Sequence, residues 1–135
     1  MAKVELFDLG SIKEEEYTRI VCVTRYNGKW VYSRMKGKDT WEIPGGHIEY
    51  GENWQTAVER ELFEEAGVVK AKIEPICVYQ ISRYALLCFA EVLEMIDLPN
   101  YEMAEIGFFD DEPLNLSYPE AHKLFLEVVN KKKGL

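Results

Sequence analysis

The stretch that most constrains the fold of this chain is a helix signal between Asn53 and Gly67. It lies within residues 45–69, which read GGHIEYGENWQTAVERELFEEAGVV. Asn53 belongs to the residue types preferred at a helix N-cap, and Gly67 stands where a left-handed C-cap residue belongs. Neither glycine nor proline interrupts the residues between them. At about 100° per residue, three apolar side chains share one arc, which predicts a helix packed against a core: Val58, Leu62 and Ala66.

The neighbouring arc of the predicted helix carries three carboxylates, at Glu61, Glu64 and Glu65. Residues three and four positions apart on a helix have Cβ atoms about 5–6 Å apart, and like charges there are mildly destabilising. A cation over that face would remove the repulsion, and clustered carboxylate oxygens are ligands that Mg²⁺ prefers. Two interpretations stay open on these residues alone: a Mg²⁺ platform, or an acidic helix face in solvent, which is a common arrangement.

The loop before the helix supplies two glycines and further charges. The Pro-Gly-Gly run at 44–46 predicts a tight turn at which the backbone can approach a ligand closely. Glu49 and Glu52 add carboxylates at the helix entrance, and Arg60 lies on the flank of the acidic arc. We expect Arg60 to pair with Glu52 and to fix the loop against the helix.

Together these residues resemble the Nudix box in every defined position. The pattern begins at Gly46, continues after five residues with Glu52, and closes after seven more with the run RELFEEAGV at 60–68. On this box, Gly46 to Val68, the chain is identified as a member of the Nudix hydrolase family and is similar to MutT-like proteins. With all positions filled, the resemblance favours the metal site. It implies an α+β fold, with a mixed sheet between helices in an α/β/α sandwich.

The resemblance also implies a reaction and roles for individual residues. The reaction is hydrolysis of a diphosphate linkage that depends on Mg²⁺, with Mn²⁺ as a substitute ion. Metal ligands are implied at Glu61, Glu64, Glu65 and the Gly45 backbone. Structural support of the site is implied at Gly46, Glu52, Arg60 and Gly67. The catalytic base comes from the box, at Glu64 or Glu65, or from a later loop, where Glu105 is our first choice and Glu102 our second; both loop residues can equally be exposed acids.

The substrate is less constrained than the reaction. Many Nudix hydrolases of this length act on nucleoside triphosphates, some of them oxidised, and release the monophosphate and pyrophosphate; we expect the same reaction here. Trp41 can stack on a base, although aromatic residues in strands more often belong to a core, and His47 can touch a phosphate. Tyr84 stands 16 residues after Val68, where dinucleoside-polyphosphate hydrolases carry a tyrosine, so that substrate is an alternative. A non-catalytic nucleotide-binding module is disfavoured because such modules typically lose a box glutamate.

Composition bounds the class of protein. The 135 residues predict a single domain, 1–135, that can bury a core. The formal net charge of −8 argues against a nucleic-acid polymer as partner, since duplex binding needs a basic footprint. We therefore expect a small phosphorylated molecule as substrate, and the family resemblance implies that it is a nucleotide. Three cysteines without metal-ligand spacing, and the lack of a long apolar run, predict a cytoplasmic protein without membrane contact. Both a monomer and a homodimer are compatible with the sequence.

The remaining segments predict strands, helix, strands and a second helix. A strand at 17–26 precedes an Asn-Gly hairpin turn, and two long strands are expected at 68–82 and 83–95. A short strand follows at 105–109. The last helix is expected at 119–131, with an apolar stripe formed by Ala121, Leu124, Phe125 and Val128 and with His122 in a structural role.

Overall fold

The computed structural model describes residues 3–135. That part of the chain forms eight β-strands and two α-helices, with a single 3-10 turn at Glu14–Glu16 between the first two strands. Neither helix in the described range combines the length and the hydrophobicity that crossing a membrane requires. The elements are β1 (Glu5–Phe7), β2 (Arg19–Tyr26), β3 (Lys29–Met35), β4 (Trp41–Glu42), β5 (Gly45–His47), α1 (Trp54–Ala66), β6 (Val68–Ile81), β7 (Arg83–Met95), β8 (Met103–Phe109) and α2 (Pro119–Lys133).

The strands form one mixed sheet in the order β1-β6-β7-β2-β3-β4, with β5 also paired to β2 and β8 to β3. Strands β2 and β7 are parallel, while the other pairs are antiparallel. Each face of the sheet carries its own apolar cluster, one packed on α1 and the other on α2. The predicted α+β fold, with a mixed sheet between helices, is confirmed.

Two of the hairpins follow from local sequence. Asn27 and Gly28 have positive φ values of 49° and 77°, and Tyr26 faces Lys29 across the turn, as a two-residue hairpin of this kind requires. The long β6–β7 hairpin turns at Ser82, so the strands predicted at 68–82 and 83–95 agree with the structure to within one residue.

The Pro-Gly-Gly segment differs from the prediction. Gly45 and Gly46 have no positive φ and lie in strand β5, not in a tight turn. Their lack of a side chain is required by space. A Cβ on Gly45 would lie 2.5 Å from the Ile20 carbonyl oxygen, and one on Gly46 would lie 2.5 Å from Glu61 Oε1. The glycines therefore let β5 pack directly against β2 and α1.

Helix α2 is rotated relative to the predicted stripe. Its buried residues each lie one position after a predicted one, which is a rotation of about 100°. A long-range contact accompanies this orientation, since His122 Nδ1 accepts a hydrogen bond from the Ile43 backbone N–H at 3.1 Å. A histidine on the core face cannot be found from an apolar pattern. The buried set is His122, Phe125, Leu126 and Val129.

The cysteines lie as the sequence predicts. All three are free; Cys22 and Cys88 are buried, and Cys77 is partly buried. Cys22 faces Cys88 across the parallel β2–β7 pair, in the apolar cluster below α1. Burial raises the pKa of all three thiols, so they remain protonated core residues at neutral pH.

Candidate active site

Both ends of helix α1 are fixed by the residues that the sequence indicates. The Asn53 side chain accepts a hydrogen bond from the Thr56 N–H at 2.8 Å. Gly67 has a φ of 70°, and its N–H donates to the Phe63 carbonyl at 2.9 Å. A Cβ on Gly67 would lie 2.4 Å from the Ile96 carbonyl oxygen, so both conformation and space require glycine there. These caps place the acidic arc of α1 opposite strand β5.

The acidic arc forms one wall of a cleft of about 390 Å³. The other walls come from the start of β2, the ends of β3 and β4, strand β5, the segment before β8 and the start of α2. Two cationic side chains, Arg19 and Arg60, line the same cleft. Negative charge therefore exceeds positive charge, because six carboxylates line it: Glu42, Glu49, Glu61, Glu64, Glu65 and Glu102.

Arg60 is the centre of an ion-pair network at the cleft edge. Its Nε donates to Glu52 Oε2 at 2.7 Å, and its Nη2 donates to Glu52 Oε1 at 3.0 Å. The same guanidinium donates to the His47 carbonyl at 3.0 Å and to Glu61 Oε1 at 2.7 Å. The hydrogen bonds from Arg60 to Glu52 hold the pKa of Glu52 below its usual range. The predicted pair with Glu52 is present, and Arg60 also fixes the Glu61 carboxylate.

Glu61 is the buried carboxylate of the arc, and Glu65 is partly buried. Glu65 Oε1 accepts a hydrogen bond from the Gly45 N–H at 3.0 Å, which links α1 to β5. Burial is the main cause that raises the pKa of Glu65 to about 8, and the nearby charge of Glu61 adds to the increase. Burial also raises the pKa of Glu61, against the lowering effect of Arg60. The protein thus holds two carboxylates where ionisation is unfavourable without additional positive charge.

The donor set of the cleft suits a hard divalent cation. Its charged donors are carboxylate oxygens, and the backbone of Gly45 also lines it. No three His, Cys, Asp or Glu side chains within residues 3–135 form a preassembled metal-binding group. Two of the expected ligands are instead engaged by protein groups, Glu61 by Arg60 and Glu65 by Gly45. A bound cation would therefore compete with these contacts.

The structure separates the two loop carboxylates that the sequence offered as bases. Glu102 lines the cleft together with the acidic arc. Glu105 lies on β8 and does not line the cleft; its Oε1 accepts a hydrogen bond from Arg34 Nε at 2.8 Å. The geometry places Glu102, our second choice, with the other site residues and leaves Glu105 outside.

Of the three expected substrate residues, only His47 lines the cleft. Trp41 packs edge-on against Phe109 at a centroid distance of 5.1 Å and belongs to the cluster on the α2 side. Tyr84 packs against Phe7 at 5.7 Å and belongs to the cluster on the α1 side. Trp41 and Tyr84 therefore lie outside the cleft. Successive side chains of a strand point to opposite faces of the sheet, and each of these two residues points to a face that is covered by an apolar cluster.

Several cleft residues escaped the sequence prediction, including four with polar or charged side chains. Glu42 precedes the Ile-Pro-Gly-Gly run, and its position beside the glycines was the available signal. Its Oε2 accepts a hydrogen bond from Ser117 Oγ at 3.1 Å, and its charge raises the pKa of Glu65. Nothing local marks the other three, because they come from elements distant in sequence: Arg19, Tyr118 and His122.

The comparisons with known proteins identify the family of the chain. The sequence profile of the NUDIX domain matches residues 13–114, so the chain belongs to the NUDIX domain family. The chain is 28% identical over 109 residues to an RNA pyrophosphohydrolase of Actinobacillus pleuropneumoniae serotype 3, covering 63% of this chain and 53% of that protein. It therefore spans about half the length of that curated relative. A MutT-like protein of Streptomyces ambofaciens is 41% identical over 46 residues, covering 34% of this chain and 30% of that protein.

The fold itself matches solved structures closely. A crystal structure of a mutant of the Bacillus subtilis pyrophosphohydrolase BsRppH superposes with a TM-score of 0.82. The match covers 96% of this chain and 90% of that one, at 19% sequence identity. At this identity the match is evidence for the Nudix fold alone.

Proposed function

We propose that this protein is a divalent-cation-dependent pyrophosphohydrolase that acts on a nucleoside 5′-triphosphate group, leaving a 5′-monophosphate and releasing pyrophosphate. The observation that carries the proposal is the charge of the cleft, which six carboxylates and two guanidinium groups line. A polyphosphate would be repelled by such a surface unless cations accompany it. The Nudix box and the excess of carboxylates over guanidinium groups in the cleft together support phosphate chemistry assisted by a cation.

The metal ligands are proposed at Glu61, Glu64, Glu65 and the Gly45 backbone, with Mg²⁺ as the ion and Mn²⁺ as a substitute. An ion held there would neutralise phosphate charge and promote attack by water. The protein's own part is positional. Arg60 orients Glu61, and the Gly45 N–H orients Glu65, so that the carboxylates face the same cleft. The raised pKa of Glu65 means that cation binding favours release of its proton.

A carboxylate of the cleft is proposed as the base that takes a proton from the attacking water. Glu102 fits this role better than Glu105, because Glu102 lines the cleft whereas Glu105 is paired with Arg34 outside it. Glu64 remains a candidate from the box, and it lies 3.7 Å from Arg60 Nη1. A proton acceptor must be within reach of the water that attacks, so a residue outside the cleft is disfavoured.

The 5′ end of a triphosphorylated RNA is a second candidate substrate. It is favoured by one observation, namely that a relative at 28% identity is named an RNA pyrophosphohydrolase. The net charge of −8 opposes extended contact with a polyanion. Recognition limited to the first nucleotides of an RNA would need few phosphate contacts and is compatible with that charge. The dinucleoside-polyphosphate alternative loses its support, since Tyr84 packs against Phe7 away from the cleft.

Pyrophosphate release from matched substrates tests the proposal. GTP, ATP and a short 5′-triphosphorylated RNA are incubated with the protein in Mg²⁺ and in EDTA. We expect Mg²⁺-dependent pyrophosphate release that falls by orders of magnitude in Glu65→Gln. Glu59→Gln is the matched control, because Glu59 is exposed on the same helix and lines a different groove. Equal activity of both variants, or activity that persists in EDTA, would contradict the assignment.

A further inference from the structure

A second cavity opens beside the acidic cleft. It has a volume of about 480 Å³ and lies between the start of β2, the β6–β7 turn and helix α2. That volume falls in the range of small-molecule sites, roughly 300–1,000 Å³. The cleft and the cavity are continuous, because they share five lining residues: Arg19, Val21, His47, Tyr118 and His122.

The cavity differs chemically from the cleft. Within residues 3–135, no Asp or Glu side chain lines the cavity. Tyr79, Ala85 and Phe125 provide apolar walls, while the exposed Arg19 and Arg83 provide positive charge at the rim. An aromatic, uncharged ligand group suits the walls, and a phosphate suits the rim. A nucleotide with its phosphates directed toward the cleft has both parts.

His122 lies in the floor of this cavity and is only 6% exposed. Its Nδ1 accepts a hydrogen bond from the Ile43 N–H at 3.1 Å. A ring nitrogen that accepts a hydrogen bond carries no proton, so the ring is neutral and the proton is on Nε2. Burial supports the same state, since it lowers the pKa of His122 to about 4.

The Nε2–H group has no hydrogen-bond partner among residues 3–135. Every fully buried side-chain nitrogen or oxygen in that range does have a partner. It follows that Nε2 is not fully enclosed, and the His122 ring lies at the junction of the cavity and the cleft, since it lines both. His122 therefore offers a neutral N–H donor to the cavity, fixed in position by the backbone that leads into β5. The hydroxyl groups of Thr18, Tyr79, Ser82 and Tyr118 also belong to side chains that line the cavity.

We propose that His122 Nε2–H is a specificity-determining donor for the nucleobase, favouring a base with a keto oxygen over one with an amino group at the same position. The inference rests on the proposed nucleotide substrate. Phosphate binds better at the exposed arginines than against a buried neutral donor, because burying an anion there would be costly. The part of the ligand that reaches the floor is thus the base. An amino group facing His122 would place two donors together and leave both unpaired.

Two substitutions separate this role from the structural one. The side-chain oxygen of Asn can replace Nδ1 as the acceptor for Ile43, so His122→Asn keeps the structural contact and removes the donor. The amide nitrogen of Gln can replace Nε2, so His122→Gln keeps the donor and loses the contact to Ile43. The probes are GMP and AMP, titrated by calorimetry so that no turnover is involved.

We expect the wild-type protein to bind GMP more tightly than AMP by roughly threefold to tenfold, the effect of one hydrogen bond. His122→Asn should abolish that ratio, and His122→Gln should retain it despite a lower stability. An unchanged ratio in His122→Asn overturns the proposal. Equal loss of GMP and AMP affinity also overturns it, since the donor would then face ribose or phosphate. Nitrogen chemical shifts of the His122 ring in the wild type give a test without substitution, and a proton on Nδ1 contradicts the inference.

The two proposals fail in different ways. If no triphosphate yields pyrophosphate, the proposed reaction is wrong, whatever the affinities for GMP and AMP. If pyrophosphate is released but the wild-type affinities for GMP and AMP are equal, the reaction stands and the role of His122 is wrong.

Discussion

Replacement of Gly46 by alanine tests why strand β5 needs glycine at this position, for space or for backbone conformation. Gly46 has no positive φ, so alanine introduces no backbone strain there. The added Cβ would lie 2.5 Å from Glu61 Oε1, whereas ordinary contact begins at 3.4 Å. The Glu61 carboxylate must therefore move by about 0.9 Å, the difference between those two distances. Such a shift breaks the geometry of its 2.7 Å hydrogen bond with Arg60.

The expected consequence is a loss of activity. A displacement of about 1 Å in a catalytic arrangement lowers the rate by roughly 100-fold. We therefore expect kcat/KM for pyrophosphate release to fall by about two orders of magnitude in Gly46→Ala. The loss of one charge-assisted hydrogen bond should reduce the free energy of unfolding by about 1.5–3 kcal/mol. Urea denaturation measures that change separately from the kinetics.

Gly51 provides the matched control. It has a φ of 84°, and a Cβ there would meet nothing within 4 Å. Gly51→Ala should reduce the free energy of unfolding by about 1–2 kcal/mol through backbone strain while activity is retained. The two variants thus separate space from conformation. Full activity in Gly46→Ala, or the same loss of activity in Gly51→Ala, would refute the reasoning.

Three other predictions concern the ion-pair network, the base and the buried histidine. Arg60→Ala and Glu52→Ala should each reduce kcat/KM, with clearly non-additive effects in the double variant; additive losses would mean that the residues act separately. Glu102→Gln should lower kcat much more than Glu105→Gln, and the reverse order would restore Glu105 as the base. The pKa of His122 is lowered from 6.5 to about 4, so its contribution to stability is complete above pH 6.5 and is lost as the pH falls through 4. Urea denaturation across this range should show roughly 3 kcal/mol of acid destabilisation that is missing in His122→Asn, and identical pH profiles would contradict the buried neutral state.

The sequence predicts the site where its signals are local. The caps of α1 at Asn53 and Gly67 are set by residues next to the helix, and both are present. The pair between Arg60 and Glu52 spans eight residues and follows from the box spacing. The long β6–β7 hairpin also follows from a local pattern of apolar and β-branched residues. Such signals require no knowledge of which elements meet in space.

Prediction from the sequence fails where a contact joins residues far apart in the chain. It also fails where one residue type, such as glycine, can be required for two different physical reasons. Glycine at 45 and 46 is compatible both with a positive φ and with a close approach, and spacing alone cannot distinguish them. His122 and Ile43 are 79 residues apart, so the contact that accompanies the rotation of α2 is contained in no local pattern. Glu105 is paired with Arg34, 71 residues away, and lies outside the cleft that Glu102 lines.

The position of bond cleavage tests the central claim most directly. GTP is hydrolysed with Mg²⁺ by the wild-type protein, and the first products are resolved by phosphorus NMR. Cleavage between the α and β phosphorus atoms predicts GMP and pyrophosphate in equal amounts, with no GDP formed first. Orthophosphate and GDP as the first products would contradict the claim, because they require attack at the terminal phosphorus.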